Sequence, residues 1–157
     1  MHNASSSDQE QLPQLWQSTK NRLQYLTQND WVLITDKAKQ VTFKKGEKLV
    51  EEGKQTKVLY LLAAGTVKIV VSGTKIAQIG SGETCGEMAF LEDGVASATA
   101  TAAQEVKAYA IEWPVLHDLF EIFPHLASRF YRSLALNLSR RLREQIVSKQ
   151  SARPITP

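Results

Sequence analysis

The sequence predicts a mainly β fold with flanking helices: an antiparallel, jelly-roll-like β-barrel preceded by N-terminal helices and followed by a long C-terminal helix. Two observations carry this. All eight glycines fall between Gly46 and Gly94, and glycine supplies positive φ at tight turns while costing stability inside helices. On either side of that window, apolar residues recur at helical spacing.

Taken in order, Met1 to Glu10 is polar and reads as a disordered tail, without the apolar run of a signal peptide. Residues 11–39 read as helices. Leu12, Leu15 and Trp16, then Leu23 and Leu26, follow helical spacing, and Asn29-Asp30 offers a cap for a helix through Trp31, Leu33 and Ile34. The barrel is expected over 40–113. Its strands are Gln40–Phe43, Lys48–Val50, Leu59–Ala63, Thr66–Val71, Lys75–Ile79, Ala98–Ala102 and Val106–Glu112. Ala64-Gly65 and Ser72-Gly73 read as two-residue hairpin turns. Connections this short leave no room for crossover helices, so a parallel sheet is excluded.

Residues 114–149 are expected to be helical. Pro114 and Pro124 suit first-turn positions and delimit a short helix, Val115–Ile122, and a longer one from His125 to about Lys149. Leu126, Phe130, Leu134, Leu138, Leu142 and Ile146 are spaced by four. Such a row drifts by about 40° per step around a 3.6-residue helix, so it spirals, and Tyr131 and Ala135 widen it. One end can pack on the barrel and the other on a second copy, with Leu134, Leu138 and Leu142 as the homodimer face. Residues 150–157 read as a tail.

Composition narrows the function. Apolar residues are 43% and charged residues 22% of the chain, the balance of a globular domain. No stretch approaches the ~18 consecutive apolar residues of a membrane span. The single Cys85 precludes an intrachain disulfide and fits a reducing, cytoplasmic setting. His2, His117 and His125 match no metal-ligand spacing. No nucleophile–base pair or phosphate loop is evident, so neither an enzyme nor a bound cofactor is expected. The net charge is +3, and between His125 and Gln150 lie Arg129, Arg132, Arg140, Arg141, Arg143 and Lys149 against Glu144 alone. That excess reads as a solvated helix face, or as a surface for nucleic acid or lipid.

The segment Gly86-Glu87-Met88-Ala89-Phe90-Leu91 is expected as a short helical turn interrupting the barrel. Its N-terminus presents free N–H groups, with a carboxylate beside them. Together with Phe43-Lys44-Lys45-Gly46-Glu47, Gly53, the run from Leu59 to Val67 and Gly82-Glu83-Thr84-Cys85, it resembles the cyclic-nucleotide-binding domain family. That family includes catabolite-activator transcription factors, regulatory subunits of cAMP-dependent protein kinase and nucleotide-gated channels. The similarity spans about Trp31 to Ser148.

The resemblance implies a phosphate-binding cassette. Gly86, Met88 and Ala89 match its backbone donors, and Glu87 matches the carboxylate that takes the ribose 2′-hydroxyl. The family's arginine falls at Ala96, followed by Ser97 and Ala98. No arginine occurs between Arg22 and Arg129, so the barrel holds no guanidinium to grip a phosphate through two parallel bonds. The expected function is a non-catalytic regulatory module with weak or absent cAMP and cGMP binding, relaying a small-molecule ligand or protein partner through its C-terminal helices. The alternatives are a closed docking or dimerisation domain, and nucleic-acid or lipid contact through the basic helix. The residues after Ser148 are too few for a DNA-reading helix-turn-helix.

Overall fold

A computed structural model describes residues 23–152, with side chains to 149; expectations for Leu12, Leu15, Trp16 and both terminal tails as far as residue 22 and from 153 lie outside the described residues. The described residues open at Leu23 in a turn, closed by Leu26 N–H donating to the Leu23 carbonyl at 3.2 Å. Leu23 and Leu26 are buried but not helical. Helix α1 spans Gln28–Lys37 and is capped at Thr27, two residues before the expected Asn29. Thr27 Oγ1 accepts from Asp30 N–H and the Asp30 carboxylate accepts from Thr27 N–H. This reciprocal box satisfies two donors that a helix start leaves orphaned, which Asn29 in the same place would not do with Val32 as its third residue.

Eight antiparallel strands follow: β1 (Lys39–Phe43), β2 (Lys48–Val50), β3 (Val58–Ala64), β4 (Val67–Val71), β5 (Thr74–Ile79), β6 (Thr84–Cys85), β7 (Thr99–Ala102) and β8 (Val106–Glu112). They form two four-stranded sheets, ordered β1-β8-β3-β6 and β2-β7-β4-β5. The seven expected strands are present with ends shifted by one residue at most, and β6 is an addition. Two residues give too little pattern to read.

Ser72-Gly73 is the expected hairpin turn, with positive φ at both residues (48° and 83°), as strands of right-handed twist favour. Ala64-Gly65 is not a hairpin. β3 and β4 belong to different sheets, and the chain crosses between them there. Gly65 adopts φ +90°, and a Cβ on it would collide with the Glu105 carbonyl oxygen. The glycine is needed for close approach of two backbones, a need invisible in the local sequence.

Helices α3 (Trp113–Ile122) and α4 (Pro124–Ala152) complete the described residues, with α2 (Glu87–Glu92) between β6 and β7. Pro114 lies in the first turn of α3 and Pro124 opens α4. Helix α4 runs three residues beyond the expected end at Lys149.

Two apolar clusters hold these parts together. Inside the barrel, Leu49, Leu62, Val67, Cys85, Ala100, Ala102, Val106 and Ala108 fill the space between the sheets. The alanines of β7 alternate inward with their threonines half-buried. On the outside of the first sheet, Leu59, Leu61 and Ile111 meet Trp31, Trp113, Leu116, Phe130 and Leu134 from the helices. The expected spiral of α4 is visible in its exposure. Leu126, Phe130 and Leu134 are buried, while Leu142 and Ile146 are 60% and 49% exposed. Leu134 is therefore corrected from a dimer-face residue to a core residue of its own chain: at 1% exposure it has no surface left for a second copy.

Candidate functional site

The cassette is built where the short strand β6 ends. Thr84 and Cys85 are buried, which aims the chain along the barrel wall. Gly86 then turns it with φ +90°, and a side chain at Gly86 would press on the Val58 carbonyl oxygen at 3.2 Å. Helix α2 follows immediately. Glu87, Met88 and Ala89 form its first turn, whose N–H groups have no intrahelical acceptors; Phe90 N–H is the first to close, onto the Gly86 carbonyl at 3.2 Å. The helix ends at Asp93 in the left-handed region, with Gly94 N–H donating to the Ala89 carbonyl at 2.9 Å.

The residues predicted for the site differ in exposure. Ala89 and Glu87 are buried at 8%, Met88 and Ser97 are exposed, and Gly86 and Ala98 are half-buried. Ala96 is pinned from both sides. Its N–H donates to the Lys54 carbonyl at 2.9 Å, and its carbonyl accepts from Gly53 N–H at 2.8 Å. Its methyl group belongs to the barrel's interior cluster. The neighbouring Thr99 hydroxyl accepts from Glu52 N–H at 3.0 Å, a structural role. Burial, with the Glu87 charge adding to it, pushes the Cys85 thiol far above its ordinary range, so Cys85 behaves as a small apolar side chain.

A single aromatic side chain connects the cassette to the C-terminal helices. The Phe90 ring lies 5.9 Å from Trp113 and 5.0 Å from His117 on α3, and 6.1 Å from Phe130 and 6.3 Å from Tyr131 on α4. Edge-to-face and stacked aromatic pairs at these separations each add about 0.5–1.5 kcal/mol beyond area burial. The ring thus packs against both helices at once.

The residue that sequence reasoning missed is Arg141. Its Nη1 donates to Glu87 Oε1 at 3.1 Å, with the two side chains 33% and 10% exposed. The barrel contributes no arginine, and α4 delivers one to the cassette. The signal was present. Leu134 and Arg141 are seven residues apart, so they lie within about 20° of each other around the helix. A half-buried cation continuing the face of Leu134 is placed to pair with an anion on the barrel side.

The basic patch on α4 is largely consumed the same way. Arg129 binds Asp30, Arg132 sits 4.0 Å over the Tyr25 ring, Arg140 reaches Gln24 at 3.3 Å and Arg141 holds Glu87. Four of those six cations thus act within the chain. Among the described residues no group of three metal-ligating side chains is assembled, and no helix is long and apolar enough to cross a membrane.

Comparison with known proteins agrees with this geometry. The family model for the cyclic nucleotide-binding domain matches residues 40–123. The cyclic AMP receptor protein of Thermus thermophilus is 32% identical over 107 residues, covering 65% of this chain and 48% of that protein. Cyclic GMP-binding protein C of Dictyostelium discoideum is 29% identical over 141 residues, or 82% of this chain but 5% of that protein. Among solved structures, a cyclic nucleotide-binding domain from Methylobacillus flagellatus superposes with a TM-score of 0.77 at 18% identity, covering 96% of this chain and 88% of the other. The fold and cassette define a regulatory module of the cyclic-nucleotide-binding-domain type. This chain belongs to the cyclic nucleotide-binding domain family, and it spans from a twentieth to about half the length of these two curated relatives.

Proposed function

We propose that the domain is a regulatory sensor with weak or no affinity for cAMP and cGMP, and that it passes the state of its cassette to α3 and α4. One observation supports the first half: Ala96, the position the resemblance assigns to the family's arginine, is a packed methyl on a backbone hydrogen-bonded to Gly53 and Lys54. A charge-assisted hydrogen bond contributes about 1.5–3 kcal/mol. Losing one or two such bonds weakens phosphate binding by roughly 10- to 1,000-fold or more. The relay rests on Phe90, whose ring is shared among α2, α3 and α4.

A second copy of the chain is the partner favoured by α4. Tyr131, Ala135, Leu138 and Leu142 follow a 4-3-4 spacing, a coiled-coil seam, and Tyr131, Ala135 and Leu142 are exposed with Leu138 half-buried.

Calorimetry with cAMP and cGMP tests the ligand reading. The expected result is no binding below the millimolar range for the natural chain, and a gain of tenfold or more for Ala96→Arg. Micromolar affinity of the natural chain for either nucleotide overturns it.

A further inference from the structure

The bend between α3 and α4 leaves a cavity beside α1. A residue before proline is pushed out of the helical region, and Phe123, which precedes Pro124, takes φ −124° and ψ 78°. The chain turns there, leaving Ile122 and Phe123 68% and 39% exposed, while Leu126 beyond the turn is buried. Leu33 and Asp30 of α1 line the opposite side, and Arg129 of α4 completes the wall. The space is about 290 Å³, at the small end of the range for small-molecule sites. It shares no residue with the cassette.

The walls are largely apolar, and their one ion pair is unequally exposed. The Asp30 carboxylate is fully engaged: Oδ2 accepts from Arg129 Nε and Thr27 N–H, and Oδ1 accepts from Arg129 Nη2. Its side chain is 2% exposed, against 36% for Arg129. Arg129 Nη1 makes no hydrogen bond among the described residues. The pair is neutral in sum, yet the half left open to solvent is the cation. His125, the other ionisable side chain in the lining, adds no negative charge.

We propose that this cavity is a ligand site separate from the cassette, and that it takes a small organic monocarboxylate with an apolar body. The carboxylate accepts from Arg129 Nη1, a charge-assisted bond to a guanidinium edge. The body covers Leu33, Ile122 and Phe123 and removes their apolar surface from water. A dianionic phosphate is disfavoured, because Asp30 already neutralises the single arginine. A neutral ligand of the same shape covers Nη1 without giving it an acceptor. The bound acid touches α1, α3 and α4 together, so it stabilises their junction by mass action.

Phenylbutyrate and its neutral amide, phenylbutanamide, are the probes, titrated into the full chain at pH 7 and followed by amide chemical shifts and thermal unfolding. The acid is expected to bind in the millimolar range or tighter and to raise the melting temperature. Its shifts are expected at Leu33, Ile122, Phe123 and Leu126, with the amide weaker by about tenfold or more. Leu33→Trp, at a half-buried position, is expected to fill the cavity and abolish binding while the fold stays intact. Arg129→Lys keeps a cation for Asp30 but loses the planar fork, and is expected to weaken the acid about tenfold and leave the amide unchanged. Should Arg129→Lys fail to fold, the ratio of acid to amide and Leu33→Trp decide the matter. Equal affinity for acid and amide, undiminished binding to Leu33→Trp, or no binding to the natural chain overturns the proposal. Shifts centred on Gly86 to Ala89 place the ligand in the barrel and overturn it as well.

Discussion

Asp30 and Arg129 join the first described helix to the last: Arg129 Nε and Nη2 donate to the two Asp30 carboxylate oxygens at 2.6 and 2.8 Å. The same carboxylate closes the Thr27 capping box at 2.9 Å. One buried side chain thus starts α1 and ties it to α4. Tyr25 reinforces the junction, its N–H donating to Ser133 Oγ at 3.0 Å while Arg132 lies over its ring.

That arrangement gives a pH dependence with a definite sign. Burial alone raises the Asp30 carboxyl, but hydrogen bonds from Arg129 and Thr27 and the Arg129 charge outweigh it, leaving the pKa below 3.8. The stability it contributes is fully present above the unfolded value and is lost as pH falls through the lowered folded value. Urea unfolding from pH 7 down to pH 2 is expected to show this loss below about pH 4. Asp30→Ala is expected to cost about 1–3 kcal/mol at pH 7 through the lost cap and charged hydrogen bonds and to flatten the acid limb.

Gly65 and Gly73 share a positive φ but not a neighbourhood. Gly73 has nothing within 4 Å of an added Cβ, whereas Gly65 meets the Glu105 backbone. Gly73→Ala is expected to cost about 1 kcal/mol, the conformational penalty alone. Gly65→Ala is expected to cost more than about 2 kcal/mol, since two backbones must separate. Denaturant midpoints of the two variants measured side by side decide this; equal losses would contradict the close approach.

Phe90 is 4% exposed and shared by three helices. Phe90→Ala is expected to destabilise the domain by about 3–5 kcal/mol. Phe90→Leu keeps most of the volume and should fold. Its cassette amides should exchange faster while the β3–β8 ladder stays protected. If both regions loosen equally, Phe90 is a general core residue and carries no relay.

The exposed stripe of α4 separates packing within the chain from packing between copies. Leu142→Glu is expected to leave the fold intact and to shift sedimentation from dimer to monomer, because Leu142 is 60% exposed. Leu134→Glu is expected to unfold the domain, since it places a charge in a site 1% exposed. A natural chain that sediments as a monomer at all concentrations would remove the dimer reading.

Much of this was legible beforehand, and the failures share a cause. The strands, the Ser72-Gly73 turn and the prolines of α3 and α4 are local features, written in neighbouring residues. The Ala64-Gly65 crossing was misread because a glycine in a turn looks the same whether the next strand pairs back or leaves for another sheet. The cap of α1 was misplaced by two residues, because Asn29-Asp30 fits the cap pattern as well as Thr27 with its distant third-position partner does.

The sequence by itself determined the barrel, through glycines confined to one window, and the absence of any arginine within it. Only the tertiary structure decided that an arginine reaches the cassette anyway. Arg141 and Glu87 are 54 positions apart, and Arg129 and Asp30 are 99 apart. Periodicity reports which face of a helix is apolar, and by it Arg141 read as part of a solvated basic face. What waits on that face is set by how β6, α2 and α4 pack together, which no local pattern encodes.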